Sequence, residues 1–213
     1  MCITIHCFDT GEEKIIPNCE SLIRQFINDD ASIIYYDSLP VTSHFQLPND
    51  ALVLVAMSNR NPSQEALTML WDRRNEIEEM LQQIGEELSL ADVIDNDTFP
   101  QEEIRQLLEE FLSIDGISVA FATKIIHKKR PNLIPIIDKQ HVMEIYGFPL
   151  NNANNAQEVV KWIKHIGKDI RNNRGRLEQL KNIAEEEVRD VYPGLNISFS
   201  LIRLFDIILW QHQ

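Results

Sequence analysis

Apolar positions along the chain repeat first with a period of two and then, for most of its length, with the three-and-four spacing of helices. Cys2-Ile3-Thr4-Ile5-His6-Cys7 alternates in the manner of a half-buried strand, and residues 32–36 form a second run rich in β-branched and aromatic side chains. From Asp50 onward the pattern is helical. Asp50 is placed to cap a helix over residues 51–57, and Asn61-Pro62 opens a long helix with the apolar stripe Leu67, Leu70, Trp71, Ile77, Leu81 and Ile84. Thr98 and Gln101 have capping-box spacing ahead of a helix carrying Ile104, Leu107, Leu108, Phe111 and Leu112 on one face. Val159, Ile163, Ile166 and Ile170 mark a further helix, Leu177, Leu180 and Ala184 another, and residues 197–210 a last and very apolar one, while the Asn-rich stretch 147–156 reads as a connection. The prediction is a mainly α fold with a small N-terminal α/β addition. Residues 1–58 form that addition and 59–213 the helical body, two lobes of one compact unit without internal repeats.

The central segment interrupts this pattern. Ile114-Asp115-Gly116-Ile117-Ser118-Val119-Ala120 reads as a helix end, a glycine turn and a new helix, a hairpin of helices around residues 104–127. Gly116 permits positive φ and close approach, and the unpaired amides at the start of the second helix, near Ser118 to Ala120, suit an anion such as a phosphate. A basic cluster follows, His127-Lys128-Lys129-Arg130, and then the apolar run Ile134-Pro135-Ile136-Ile137 ends in Asp138 at the expected start of another helix.

Composition narrows the function classes. With 44% hydrophobic residues in 213, the chain fills a core without disulfides, and its three cysteines, Cys2, Cys7 and Cys19, have no metal-binding spacing. They read as reduced thiols of a soluble, cytoplasmic protein; no metal, zinc or iron–sulfur frame and no cofactor is expected, and no apolar run reaches the roughly 18 residues of a membrane span. The sequence leaves the oligomeric state open. A net charge of −13 argues against nucleic acid, yet the charge is uneven. Residues 1–115 hold 6 Lys and Arg against 23 Asp and Glu, a net −17, and residues 116–181 hold 12 against 5, a net +7. The sign changes where the hairpin begins, which suggests a polyanion-binding lobe or, equally, basic helices pairing with acidic ones.

The hairpin and the carboxylate that follows it resemble the core of the helix-hairpin-helix DNA glycosylases, whose motif reads Leu-Pro-Gly-Val-Gly, two variable positions, Thr-Ala, and later Val-Asp-Thr-His-Val. Ile114-Asp115-Gly116-Ile117-Ser118 falls on the turn, Phe121-Ala122 on Thr-Ala, and Asp138 on the catalytic aspartate. Asp115 replaces the proline, Ser118 replaces the second glycine, and His141-Val142 lie one position late. The resemblance implies a two-lobed helical glycosylase-like fold that binds DNA through Gly116, Ile117, Ser118, Val119 and Ala120, with Lys124, Lys128, Lys129 and Arg130 facing phosphates. It also implies excision of a damaged or modified base, with Asp138 supporting the departing sugar. Ala120 stands where bifunctional members carry their lysine, so any such activity would be monofunctional, with water as nucleophile. Lys129 to Asp138, the run Ser200-Leu201-Ile202-Arg203-Leu204-Phe205-Asp206-Ile207 and Trp210 resemble more closely an uncharacterised bacterial family, which carries no activity.

The residues admit plainer readings. Asp138 suits a helix N-cap, Lys124 a solvated surface lysine as well as a displaced nucleophile, and His127 and His141 surface or capping positions as well as proton carriers. Lys161, Lys164, Lys168, Arg171, Arg174 and Arg176 extend the basic surface or simply meet solvent. Trp71, Trp162 and Trp210 could stack on an extruded base, though helical tryptophans more often pack, and Trp210 is assigned to the core. Arg203 and Asp206, at i and i+3 in an apolar helix, read as a buried or half-buried ion pair that orients the helix. Three functions stand: a DNA glycosylase, a silent DNA-binding hairpin module, and an acidic protein-interaction domain.

Overall fold

The computed structural model describes residues 1–29, 34, 37, 38, 44 and 62–212. It is mainly α-helical, with one two-stranded sheet at the N-terminus. Strand β1 (Ile3–His6) pairs antiparallel with β2 (Glu13–Ile16), Ile3 opposite Ile16 and His6 opposite Glu13. Alternation drives β1 as expected: Ile3 and Ile5 point into the core. The partner strand was not anticipated, since its sequence Glu-Lys-Ile-Ile buries only Ile16. Residues 32–36, expected as a strand, lie outside the described residues except Ile34, which is buried in helical backbone. The helix expected over 51–57 lies outside them entirely.

Helix α1 (Cys19–Asp29) buries Cys19, Ile23, Phe26 and Ile27, one face of a 3.6-residue period. The long helix expected from Pro62 is two: α2 (Gln64–Asp72), capped by Ser63 rather than begun by proline, and α3 (Arg74–Gln82), with a break at Arg73. A short α4 (Leu90–Val93) leads to α5 (Gln101–Leu112), whose N-cap position is taken by Pro100; Thr98 is exposed and makes no capping bond. Helix α6 (Val119–Lys129) follows the glycine turn. The apolar segment after it enters a π-helical turn (Lys139–Met143), then α7 (Glu144–Tyr146) and a 3₁₀ turn (Leu150–Asn152). Helices α8 (Ala156–Asn172), α9 (Arg174–Val191) and α10 (Leu201–Gln211) complete the chain. The last begins four residues later than its apolar run, at the Ser200 cap.

The core draws on all of these elements except the 3₁₀ turn, which buries no residue. Helix α6 is buried on nearly every side, with Val119, Phe121, Ala122, Ile125 and Ile126 in the interior. The N-terminal hairpin is tied to the body by α8: the Thr4 amide donates to Asn173 Oδ1 at 2.9 Å and the His6 amide to Asp169 Oδ2 at 2.9 Å. Helix α1 packs against α9 and α10, and α5 against α3 and α8. At the crossing of α4 and α8, Gly167 has no room for a side chain, because a Cβ there would sit 2.8 Å from Leu90 Cγ. Among the described residues no helix is long and apolar enough to cross a membrane.

Candidate functional site

The hairpin forms where the sequence places it. Helix α5 closes at Ser113, the Ile117 amide donates back to the Ile114 carbonyl at 3.0 Å, and Gly116 takes φ +86°. That conformation, not lack of space, demands glycine: a Cβ would meet only Ala66 Cβ, at an ordinary 3.6 Å. Ser118 then caps α6, its Oγ accepting from the Phe121 amide at 3.3 Å and its carbonyl from Ala122 at 2.9 Å. Ile117 and Val119 turn their side chains inward, while Gly116 and Ser118 are exposed. Among the described residues the amides of Ser118, Val119 and Ala120 make no hydrogen bond.

The basic residues after the hairpin require a correction. Lys124, Lys129 and Arg130 are buried and Lys128 is half-buried, so residues 124–130 do not form an open phosphate-facing surface. The physical reason is the central position of α6, which leaves its flanks little solvent face. Arg130, 2% exposed, sends Nε to the Ile84 carbonyl at 2.7 Å, Nη2 to Leu81 at 2.6 Å and Nη1 to Lys129 at 2.8 Å. It closes the end of α3, a capping task rather than a ligand-binding one. The exposed cations sit instead on α8 and α9, and several pair with acidic partners: Arg171 with Asp95, and Arg174 with Asp92 and Glu178.

Asp138 does cap the turn that follows it. Oδ1 accepts from the His141 amide at 2.6 Å and Oδ2 lies 3.0 Å from His141 Nδ1. The His141 ring stacks on Trp210, centroids 4.3 Å apart and nearly parallel, which fixes both. Burial alone would raise the Asp138 carboxyl, but the two His141 hydrogen bonds, the His141 charge and the Lys124 ammonium outweigh it and hold it below the usual carboxylate range. Lys124 is pushed down by burial, against the pull of Asp138 and Asp206. Asp206 and Arg203 form the buried pair expected from their spacing, and Arg203 also donates to Asp37, Nε to Oδ1 at 2.9 Å and Nη2 to Oδ2 at 2.9 Å. The result is a buried ionic cluster of Lys124, Asp138, Arg203, Asp206 and Asp37. His127, expected as a surface or shuttle histidine, is fully inside; burial drives it to about 3, and its Nδ1 lies 2.7 Å from the Ile134 carbonyl.

Two clefts are relevant. One, about 230 Å³, lies over Asp37, Lys128 and Arg203; the other, about 570 Å³, lies between α5, α8 and Phe8. Neither is lined by Asp138 or by the hairpin turn. Among the described residues no three His, Cys, Asp or Glu side chains are grouped to hold a metal ion.

Residues 28–213 match the Family of unknown function (DUF6308). The chain belongs to that family. No curated protein and no solved structure matches it. The DUF6308 match takes in the hairpin, Asp138 and the ionic cluster, and leaves out β1, β2 and most of α1.

One polar assembly in this DUF6308 chain was not foreseen. Asp169, 2% exposed, faces His6 Nδ1 at 2.6 Å through Oδ1, and its Oδ2 accepts from Tyr146 Oη at 3.1 Å and from the His6 amide. Burial and the neighbouring Asp169 charge raise the Tyr146 hydroxyl well above its usual value, so it stays a donor. The signal was in the helical phase: Asp169 falls on the same face as Ile166 and Ile170, where a carboxylate must find partners. The joint it makes fastens the N-terminal sheet to α8.

Proposed function

We propose that this protein is a DNA-binding module that seats a backbone phosphate on the turn between α5 and α6. One observation carries the reading: Gly116 in left-handed backbone opens the start of α6, where the successive amides of Ser118, Val119 and Ala120 have no partner among the described residues. Three N–H groups at a helix N-terminus suit an anion held by main chain, and the resemblance of the turn to the helix-hairpin-helix motif points to a phosphodiester. Because the cations of residues 124–130 are largely withdrawn into the core, the contact is narrow. Log affinity for duplex DNA should fall with log salt at a slope of only about −1 to −2. Ala120→Glu tests the site without damaging it, since an acidic residue in the first turn suits the helix dipole. Binding measured by fluorescence anisotropy should weaken at least about tenfold while the melting temperature holds or rises. A Glu79→Ala control should bind as wild type. Equal affinities for all three proteins would exclude the turn.

A second reading, excision of a base in the manner of a monofunctional glycosylase, is favoured by the state of Asp138. Its carboxylate is held ionised while the side chain keeps 12% exposure, beside Lys124 and the His141–Trp210 stack. A fixed negative charge of this kind stabilises a developing oxocarbenium ion. Asp138→Asn should then cut base release by at least about a hundredfold and leave DNA affinity equal or higher. Wild-type protein that releases no base from a panel of damaged and modified duplexes would reduce Asp138 to its capping role.

A further inference from the structure

The cleft between α5 and α8 has a chemistry that the hairpin does not explain. Three lysines, Lys161, Lys164 and Lys168, follow one another along one edge of α8 and line it together with Arg105. Their spacing of three and four residues sets them along about 10 Å of helix. In a chain of net charge −13 this is a concentrated positive wall, with Glu102 the one carboxylate among its described lining residues. Glu102 and Glu109 hold Arg105, and Glu158 holds Lys161. Among the described residues Lys164 is tied only to a neutral group, Gln101 Oε1 at 3.3 Å, and lies over the Phe99 ring. Lys168 is exposed and makes no ion pair among the described residues.

Phe8 adds an aromatic ring to the lining. Phe8 is held edge-on by Phe148, centroids 5.2 Å apart, and by His165 at 5.3 Å. His165 Nε2 lies 2.6 Å from the His6 carbonyl oxygen and therefore donates to it. A volume of about 570 Å³ falls in the range of small-molecule sites, which pair an apolar surface with a few placed polar groups.

We propose that this cleft binds a nucleoside phosphate, its phosphates on Lys164 and Lys168 and its planar ring on the Phe8 ring. The two ammonium groups, which no carboxylate engages among the described residues, supply the charge complementarity, and the fixed phenyl ring supplies a stacking surface beside them. The site stands apart from the DNA-binding reading. Gln101 and Arg105 lie in the first half of α5, about 17 Å and about 10 Å by helix length from its hairpin end.

The test uses the full chain and isothermal titration at low salt, with AMP and ATP as probes. Wild-type protein should bind both, ATP more tightly because it carries more charge. The Lys164→Gln/Lys168→Gln double variant, conservative in shape at one half-buried and one exposed position, should weaken ATP at least about tenfold with a melting temperature close to that of wild type. Phe8→Leu should weaken AMP while leaving the small affinity for inorganic phosphate unaltered. Absence of AMP and ATP binding at millimolar concentration overturns the proposal, as does undiminished binding by the double variant. It is equally overturned if these lysines are needed only for a DNA oligonucleotide and not for free nucleotides. Ala120→Glu should leave nucleotide binding intact, so loss of the hairpin site and loss of the cleft are separately visible.

Discussion

Replacing Arg130 by alanine should destabilise the protein by about 3–5 kcal/mol, with no carboxylate partner needed to explain the loss. The guanidinium stands at the end of α6 and is spent on carbonyls at the end of α3: Nε on Ile84 and Nη2 on Leu81. Leu81 would retain the Ile84 amide as a donor, but no other described backbone donor reaches the Ile84 carbonyl. An orphaned buried carbonyl costs about 1–3 kcal/mol, and the void left by a large, fully enclosed side chain adds a similar amount. Burial lowers the Arg130 pKa, opposed by the charges of Glu86 and Glu78, yet a guanidinium remains charged and complements the negative end of α3. Arg130→Lys should recover no more than about half of the loss, because an ammonium cannot reproduce the planar fork that spans two carbonyls. Urea unfolding of the three proteins decides the matter. A loss below about 1 kcal/mol for Arg130→Ala would mean that the α3 end is closed by other groups.

The same residue shows where the sequence was legible and where it was not. Periodicity identified α5, α8 and α9 because each has one buried stripe, and the glycine turn was readable because few residues other than glycine take φ +86°. The cations of α6 were misread for a related reason. A run such as Lys128-Lys129-Arg130 looks solvated unless one knows that its helix lies at the centre of the fold, and that is a tertiary fact. The partners of Arg130 at the end of α3 are 46 and 49 residues away, and Asp37 is 166 residues from Arg203. No local spacing encodes such pairs, whereas Arg203 and Asp206, one turn apart, were recognised as a buried ion pair. Strand β2 escaped because its exposed face leaves almost no alternation, and the capping box at Thr98 failed because Pro100 occupies the cap itself. The change of charge sign along the chain was real, but part of it is absorbed by contacts such as Arg171 to Asp95, and a stretch of what remains lines the α5–α8 cleft.

Asp206→Asn should make the protein more stable than wild type at pH 7.5, with an advantage that disappears by about pH 4. Asp206 is 4% exposed; its Oδ2 accepts from Arg203, and its Oδ1 has no partner among the described residues. Burial raises its carboxyl to about 6; Arg203 and Lys124 pull it down and Asp138 pushes it further up. A carboxyl whose folded pKa exceeds its unfolded value binds its proton more tightly in the folded chain. Its contribution is fully present below about pH 3.8 and is lost as pH rises through about 6, so at neutral pH the ionised group is a burden. The difference in unfolding free energy between variant and wild type should therefore change by on the order of 2–3 kcal/mol between pH 4 and 7.5. The comparison must be a difference, because His127 works the other way. Held neutral by burial, with a pKa near 3, it costs stability as pH falls through the range where the unfolded imidazole takes up a proton. Arg203→Met should do the opposite of Asp206→Asn. It strands Asp37 and Asp206 without their shared guanidinium and should cost about 3–5 kcal/mol at pH 7.5, less at pH 5 where Asp206 can be protonated. If thermal or urea unfolding gives an Asp206→Asn difference that is flat from pH 4 to 8, Asp206 ionises like a surface carboxylate and the cluster is better solvated than its burial implies.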